Sequence, residues 1–430
     1  MNETLLLGAS FALLLLARVP VAFAMGSAAA LALCAQIPAG PALVTSAQRI
    51  ATSLDSFPLL AIPLFILAGQ LANRGGTAAR LIELARTLVG SARGGLAHVH
   101  VIASMLFGAI SGSAVATASA VGAAMGPRME AEGYDRDFTA SVNIASATTG
   151  LVIPPSNVLI VYSLASGGTS IAALFLAGYL PGLLVGLTLM AAAALVLRGR
   201  DALGDGAAPR ERQISRHLLA ALPGLGLPVL VMGGIIGGLF TATEASGAAV
   251  LYAMLLGLVY GELGWRDLPE ILLDAATTTG IVMLLIGTSA GLSWVLAYDR
   301  IPEQVAAAVL AVSQEPVAVL LLVNLTLLAV GTFMDITPAV LIFTPIFLPV
   351  VTALGVDPIH FGVVMVMNLC IGLCTPPVGT VLFVGCAVAR TEVGRVVRPL
   401  VPMVLAMLGA LLVVTFVPEI SLWLPGLVGR

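Results

Sequence analysis

Two Pro-Pro pairs, each set inside an apolar run long enough to cross a bilayer, limit what this chain can fold into. The first lies in Gly150-Leu-Val-Ile-Pro-Pro155, the second in Gly372-Leu-Cys-Thr-Pro-Pro377. Proline lacks the N–H that would bond the carbonyl four residues earlier. Pro154 and Pro155 therefore free the carbonyls of Gly150 and Leu151, and Pro376 and Pro377 free those of Gly372 and Leu373. A bare carbonyl in hydrocarbon costs several kcal/mol, so such breaks are tolerated only where protein, water or a cation takes them up. Paired interrupted spans at corresponding places in two halves of a membrane protein point to a transporter binding site.

The membrane reading rests on composition. Of 430 residues, 59% are hydrophobic and 10% charged, and the mean hydropathy is +1.08. Soluble domains carry about 25% charged residues. Uncharged windows of about 20 apolar residues recur, each enough for one crossing. An all-α polytopic membrane protein follows. All 19 basic residues are Arg and none is Lys. That excludes a Walker A lysine and a Schiff-base lysine, so energy for transport must come from an ion gradient or another chain. The net charge of −3 names no partner, and no nucleic acid is expected. Cys34, Cys370, Cys374 and Cys386 sit in apolar runs and read as small core residues. His98 and His100 lack a third ligand, so no transition-metal site is expected. The N-terminus has no basic region and no small-residue cleavage site, and the first apolar segment is expected to stay in the mature chain.

The chain repeats itself. An offset of 222 residues carries Gly150 to Gly372, Pro154-Pro155 to Pro376-Pro377, Gly133 and Asp135 to Gly355 and Asp357, Pro127 to Pro349, Gly69 to Gly291, and Ser113 to Asp335. Matches of Gly, Pro and Asp are informative where matches of Leu or Ala are not. The first repeat spans 1–197, a polar Arg-rich linker 198–217, and the second repeat 218–430. Such duplication commonly has inverted topology, with substrate held between the repeats.

Each repeat holds one segment of unusual form, over about 94–127 and about 316–349. Each has a Gly- and Ser-rich or Asp-bearing centre between two arms of about 15 residues, roughly 22 Å of helix. That is short of a hydrocarbon core of about 30 Å, and a re-entrant hairpin is expected. Ser113 and Asp335 stand where the second arms begin, as N-caps would. Broken helices are expected over about 138–166 and 360–389. Arg74, Arg80, Arg86 and Arg93, with Leu81, Leu84, Leu88 and Val89, suggest an amphipathic helix in the interface. The Arg-rich linker and the Arg390, Arg395 and Arg398 cluster favour the cytoplasmic side.

Asp335 is the one acid in the middle of an apolar hairpin, which makes it a functional candidate for an ion site or for orienting the tip. An anionic substrate would favour helix N-termini, hydroxyls and amides. Ser111, Ser113, Thr148, Asn157, Asn368 and Thr380 qualify. Arg390 reads as interfacial, Asn324 as inter-helix glue, and Glu244 after Thr241 as a helix cap.

The stretches GAISGSAVATASAVG (108–122), TTGLVIPPSNVLIVY (148–162), FTATEA (240–245), GTFMDITPAVLIFTPIFLP (331–349) and GLCTPPVGTVLF (372–383) resemble the large membrane subunit of TRAP transporters, the DctM/SiaM type. The resemblance covers essentially the whole chain. It implies an elevator-type secondary transporter in the bacterial inner membrane that uses sodium to import organic acids such as C4-dicarboxylates or sialic acid. It also implies a periplasmic substrate-binding protein and a separate, small four-helix membrane subunit of DctQ/SiaQ type. Sodium would be held mainly by backbone carbonyls where hairpin tips meet broken helices. Carried onto this chain, one site uses Gly108, Ser111, Gly150, Ile153 and Pro155, and the other Gly331, Gly372, Thr375 and Val378. The alternative within transport is a stand-alone sodium- or proton-coupled anion transporter of similar duplicated build. A membrane-embedded enzyme is disfavoured, because Asp335 has no partner carboxylate in its segment and no Ser–His or His-rich constellation is present.

Overall fold

A computed structural model describes residues 3–89, 94–198, 211–313, 315–376 and 378–428. Arg93, Pro377 and most of the expected linker lie outside the described residues. The described chain is helical throughout. Helices α1 (Glu3–Leu16), α2 (Val21–Gln36) and α3 (Ala39–Leu54) lead through a 3-10 turn (Phe57–Leu60) into α4 (Ala61–Arg74) and α5 (Thr77–Val89). The first hairpin is α6 (Gly95–Ser111) and α7 (Ala114–Ala131). The first broken helix is α8 (Arg136–Ala147), α9 (Thr149–Val152) and α10 (Asn157–Ala165), bent by 51° at its break. Then come α11 (Ile171–Leu197), α12 (Glu211–Ile236), α13 (Ala242–Val259), α14 (Leu268–Tyr298) and α15 (Ile301–Val312). The second hairpin is α16 (Pro316–Gly331) and α17 (Ile336–Ala353), and the second broken helix is α18 (Pro358–Cys374) and α19 (Thr380–Ala389). Helices α20 (Val393–Phe416) and α21 (Glu419–Val428) end the described chain. Among the described residues, seven helices are long and apolar enough to cross a membrane, or eight if the bent pair counts as one span. The linker expected to run to 217 is shorter, because α12 already begins at Glu211.

Local chemistry explains where these helices begin. Asp135 and Asp357, equivalent by the repeat, both cap broken helices. Their Oδ1 atoms accept from the Phe138 and Ile359 N–H groups at 2.9 and 2.8 Å. Thr241 and Glu244 form a reciprocal capping box at the start of α13. The hairpin arms hold 16–18 residues, roughly 24–27 Å of helix; the expectation that all are too short does not hold for α17, which is one of the seven helices long and apolar enough to cross.

The two broken helices run antiparallel. The front half of each packs on the back half of the other, α8 on α19 and α18 on α10. Glycines make these crossings tight: a Cβ on Gly385 would lie 2.2 Å from Ile144, and one on Gly362 would lie 2.4 Å from the Tyr162 ring. The Tyr162 hydroxyl donates to the Pro358 carbonyl at 2.6 Å, and the Cys374 thiol to the Ile144 carbonyl at 3.3 Å. Likewise α7 packs on α19 while α17 packs on α10. This exchange is what inverted repeats produce.

One face of the protein collects arginine. Arg74 pairs with Glu270 and Asp274, Arg80 with Glu262, Arg128 with Glu83, Arg136 with Glu130 and Arg395 with Asp137. All of these join helix ends on the side where the first hairpin has its base. The opposite end of α14, where Gln36 bonds Asp299 at 3.0 Å, carries Arg300. The helix expected to be amphipathic is α5. Leu81, Ile82, Leu84 and Ala85 are buried and Leu88 is exposed.

Polar pairs tie the first hairpin arm to the broken helix in both repeats. Ser146 donates to Ser104 at 3.0 Å. At the equivalent of Ser146, Asn368 Nδ2 donates to the Asn324 carbonyl and Oδ1 at 2.8 and 2.9 Å, and Asn324 Nδ2 continues to Thr415 at 3.1 Å. Inter-helix amide bonds in membranes are each worth about 1 kcal/mol. Asn368→Ala is expected to lower the melting temperature of the purified protein by about 2 °C with substrate affinity unchanged. An affinity loss at unaltered stability would return Asn368 to the substrate site.

Candidate functional site

Both tips and both breaks face one cavity of about 560 Å³. The first tip supplies Ser111, Gly112 and Ser113, and the first break Leu151, Asn157, Val158 and Val161. The second tip supplies Asp335, Ile336 and Thr337, and the second break Leu373, Thr380 and Val381. The remaining wall comes from α4 (Gln70, Asn73) and α14 (Thr278, Ile281, Leu285). The first turns of α7, α10, α17 and α19 therefore all open on the cavity. Helix N-termini carry unpaired N–H groups and a partial positive charge of about half a unit. Four of them around one space make an anion-favouring environment without a lysine or arginine in the lining.

The tips differ in detail. Ser113 caps α7, its hydroxyl accepting from the Ala116 N–H at 3.2 Å. Asp335 stands at the equivalent N-cap of α17, where the Ile336 and Thr337 main-chain N–H groups lie against its carboxylate in looser geometry than a full cap. Its Oδ1 also lies 3.4 Å from the Thr380 hydroxyl, across the gap to the second break. The loop between the arms is also longer there, Thr332–Asp335 against Gly112–Ser113. The longer loop arises because α16 ends at Gly331 itself while α6 runs three residues past Gly108; Gly331 lies 223 residues after Gly108, so the 222-residue register of the second arms is out by one at the first-arm glycines.

Those crossings lie directly behind the cavity. A Cβ on Gly150 would lie 2.3 Å from the Gly108 Cα, and one on Gly372 would lie 2.5 Å from the Gly331 carbonyl carbon. Only glycine lets two backbones approach this far. Main-chain oxygens converge as a result. The Leu373 and Thr375 carbonyl oxygens lie 2.6 and 3.1 Å from where a Gly379 Cβ would sit, and the Pro155 carbonyl oxygen lies 3.6 Å from the same point on Gly112. Main-chain oxygens suit a hard cation, although the nearest atom to the Gly112 point is the Asn157 Nδ2 at 3.3 Å. Two of the freed carbonyls have found internal donors, however. The Ser156 hydroxyl donates to Leu151 at 2.5 Å, and the Thr375 N–H donates to Gly372 at 2.9 Å. Ser and Thr beside a proline break can turn back onto the backbone they follow.

The expected site residues divide between cavity and core. Ser111, Ser113, Asn157, Asp335 and Thr380 line the cavity. Gly108, Gly150, Gly331 and Gly372 form the crossings behind it. Ile153 packs on Gly182, Thr375 donates its hydroxyl to the Ile371 carbonyl at 2.7 Å, and Val378 is 40% exposed. Thr148 and Asn368 lie away from the cavity. The Thr148 hydroxyl bonds the Ala145 carbonyl at 2.9 Å, and Asn368 is spent on Asn324. Helical phase decides this, since both point away from the breaks they adjoin. Arg390 lies in a separate surface pocket with Arg136 and Arg395. His100 is buried against Asn143 Oδ1 at 3.0 Å, and no metal-binding cluster of His, Cys, Asp or Glu occurs among the described residues. Gln70, Asn73 and Thr278 went unrecognised in the sequence. The one signal there was Gln and Asn three residues apart on an otherwise apolar helix.

Residues 9–420 match the family described as the tripartite ATP-independent periplasmic transporter, DctM component. The chain is 51% identical to the uncharacterized protein YgiK of Salmonella typhimurium, over 97% of this chain and 96% of that protein. It is 40% identical to the C4-dicarboxylate TRAP transporter large permease protein DctM of Pseudomonas aeruginosa, over 89% of this chain and 90% of that one. The fold is similar to the crystal structure of the Alcanivorax borkumensis YdaH transporter, described as having an unusual topology. The TM-score is 0.67 at 16% identity, covering 91% of this chain and 90% of the other. At that identity the likeness extends to the fold alone. The matched family and the DctM relative are described as transporter components, not enzymes. With its duplicated hairpins and breaks gathered on one membrane-embedded cavity, the chain belongs to the DctM family of large permease subunits of tripartite ATP-independent periplasmic (TRAP) transporters.

Proposed function

We propose that this permease imports an organic acid anion across the bacterial inner membrane, driven by a sodium gradient. The single observation that carries the reading is the meeting of four helix N-termini on one cavity walled by both repeats. The anion sits between the tips, and sodium ions sit at the Gly108–Gly150 and Gly331–Gly372 crossings among main-chain oxygens. Asp335 faces the substrate through a cation rather than directly, because two negative charges in contact would repel. C4-dicarboxylates are the first candidates, being the cargo named for a 40% identical relative. Sialic acid and similar carboxylates remain alternatives.

A periplasmic binding protein delivers the anion, and a small membrane subunit braces the complex. The hairpins, broken helices, α11 and α20 move as one body against α4, α13 and α14, carrying the site across the bilayer. Absence of Lys supports gradient coupling over direct ATP hydrolysis.

The test is reconstitution into liposomes with the small subunit and binding protein, using radiolabelled succinate and N-acetylneuraminate as probes. Uptake of either is expected only with sodium outside and only with both partners present. Uptake by this chain alone would replace the tripartite reading with a stand-alone carrier. Uptake indifferent to sodium would remove the proposed coupling ion.

A further inference from the structure

Inverted repeats can hold two different conformations at once, and exchanging them gives the opposite-facing state. The two repeats here differ in one clear way. In the first, the hairpin tip is pressed on α4: a Cβ on Gly69 would lie 2.7 Å from the Ser111 carbonyl oxygen. In the second, the equivalent glycine of α14, Gly291, has nothing within 4 Å of its Cβ position. Phe333, which the second-arm offset of 222 residues sets opposite Ser111, is 64% exposed. Unfilled space beside Gly291, itself a buried residue, thus pairs with an uncovered aromatic ring at the corresponding tip.

The cavity lies toward the arginine-rich face. Asn73 and Thr278 line it one turn from the Arg74–Asp274 ion pair. With that face assigned to the cytoplasm by the positive-inside rule, this is the inward-facing arrangement. Gln70, Asn73 and Thr278 are the polar part of its fixed wall. Their repeat equivalents are Leu292, Val295 and Ser56, of which Leu292 and Val295 are buried.

We infer that Gln70, Asn73 and Thr278 contact the substrate only in the inward-facing state, as exit-side specificity residues, and that the outward-facing state instead seats Phe333 of the second tip on Gly291 of α14. The inference rests on the transport reading above. It makes the substrate's polar partners unequal on the two sides. Entry occurs against Leu292 and Val295, where the tips and breaks alone hold the anion. Exit occurs against two amides, which compete with the tips for its charged groups, joined by the Thr278 hydroxyl only when it turns from the Asp274 carbonyl to which it donates at 2.9 Å.

The test uses the full chain with its partner subunits, native thiols retained. Gly291→Cys and Phe333→Cys are combined and oxidised with copper phenanthroline during succinate uptake. A 291–333 disulfide is expected to accumulate, identified by peptide mass spectrometry, and to stop uptake until it is reduced. Uninterrupted uptake under oxidation with no such disulfide overturns the inference. Gly291→Trp fills that space, so its uptake should fall at least roughly tenfold as the outward state is lost. Asn73→Cys in the same chain should still react with a membrane-impermeant maleimide from the cytoplasmic face. Normal uptake by Gly291→Trp overturns the inference too. Gln70→Leu with Asn73→Leu should slow exchange of succinate at the cytoplasmic side and leave binding from the periplasmic side unchanged; equal effects on both sides contradict it. If the unmodified complex carries neither probe, the transport reading is at fault, while the sidedness of maleimide labelling at Asn73→Cys and Val295→Cys still reports the geometry.

Discussion

Replacing Gly150 by alanine is expected to reduce transport about 100-fold, the scale of a roughly 1 Å misplacement at a reacting site. The added Cβ would lie 2.3 Å from the Gly108 Cα and 2.8 Å from its carbonyl carbon. Those neighbours are backbone, not the free end of a side chain, so the hairpin and the broken helix must part. Overpacking of this kind also costs about 1–3 kcal/mol of stability. Gly372→Ala meets Gly331 in the same way, at 2.5 and 2.6 Å, and should behave alike. Gly126→Ala in α7 is the control. Nothing lies within 4 Å of its Cβ position, and alanine is favoured over glycine in a helix by about 0.8–1 kcal/mol. Full uptake by Gly150→Ala in liposomes would mean that the crossing is not part of the ion or substrate site.

Asp335→Asn should change the sodium dependence of uptake, and its sign is informative. A carboxylate about 4 Å from a cation, at an effective dielectric constant near 20, is worth up to about 4 kcal/mol. With partial screening by the cavity, a 10- to 100-fold loss of apparent sodium affinity is expected. If sodium lies between Asp335 and the substrate, anion affinity falls with it. If no cation intervenes, removing a negative charge beside an anion should raise substrate affinity instead. Sodium-dependent binding of succinate to wild type, Asp335→Asn and Asp335→Glu separates the two. The same sodium response in all three would confine Asp335 to holding the second tip against Thr380.

The breaks, tips and caps could be read from residues because their chemistry is local. A proline removes its own N–H wherever it stands, and Asp135 and Asp357 accept from amides two or three residues away. The repeat could be read because glycine and proline are costly to place at random. Thr148 and Asn368 show the limit. Both adjoin a break and both are polar, yet one side chain turns back on Ala145 and the other reaches Asn324. Which side of a helix faces a cavity depends on what packs against the others, and all sides of these helices are apolar enough to be buried. Gln70, Asn73 and Thr278 were hidden for the same reason.

By itself the sequence determined that the chain crosses the membrane many times, that it is duplicated, and that each half carries a span interrupted by proline and a hairpin with a polar tip. These follow from hydrophobicity and from main-chain hydrogen bonding, which act within a few residues. Only the tertiary structure decided that the four irregular segments meet on one cavity, that α4 and α14 supply its polar wall, and that the first tip is seated while the second is not. Those facts depend on contacts between residues far apart in the chain, such as Cys374 and Ile144, 230 positions apart, where the close packing of glycine-containing helices, not local preference, sets the geometry.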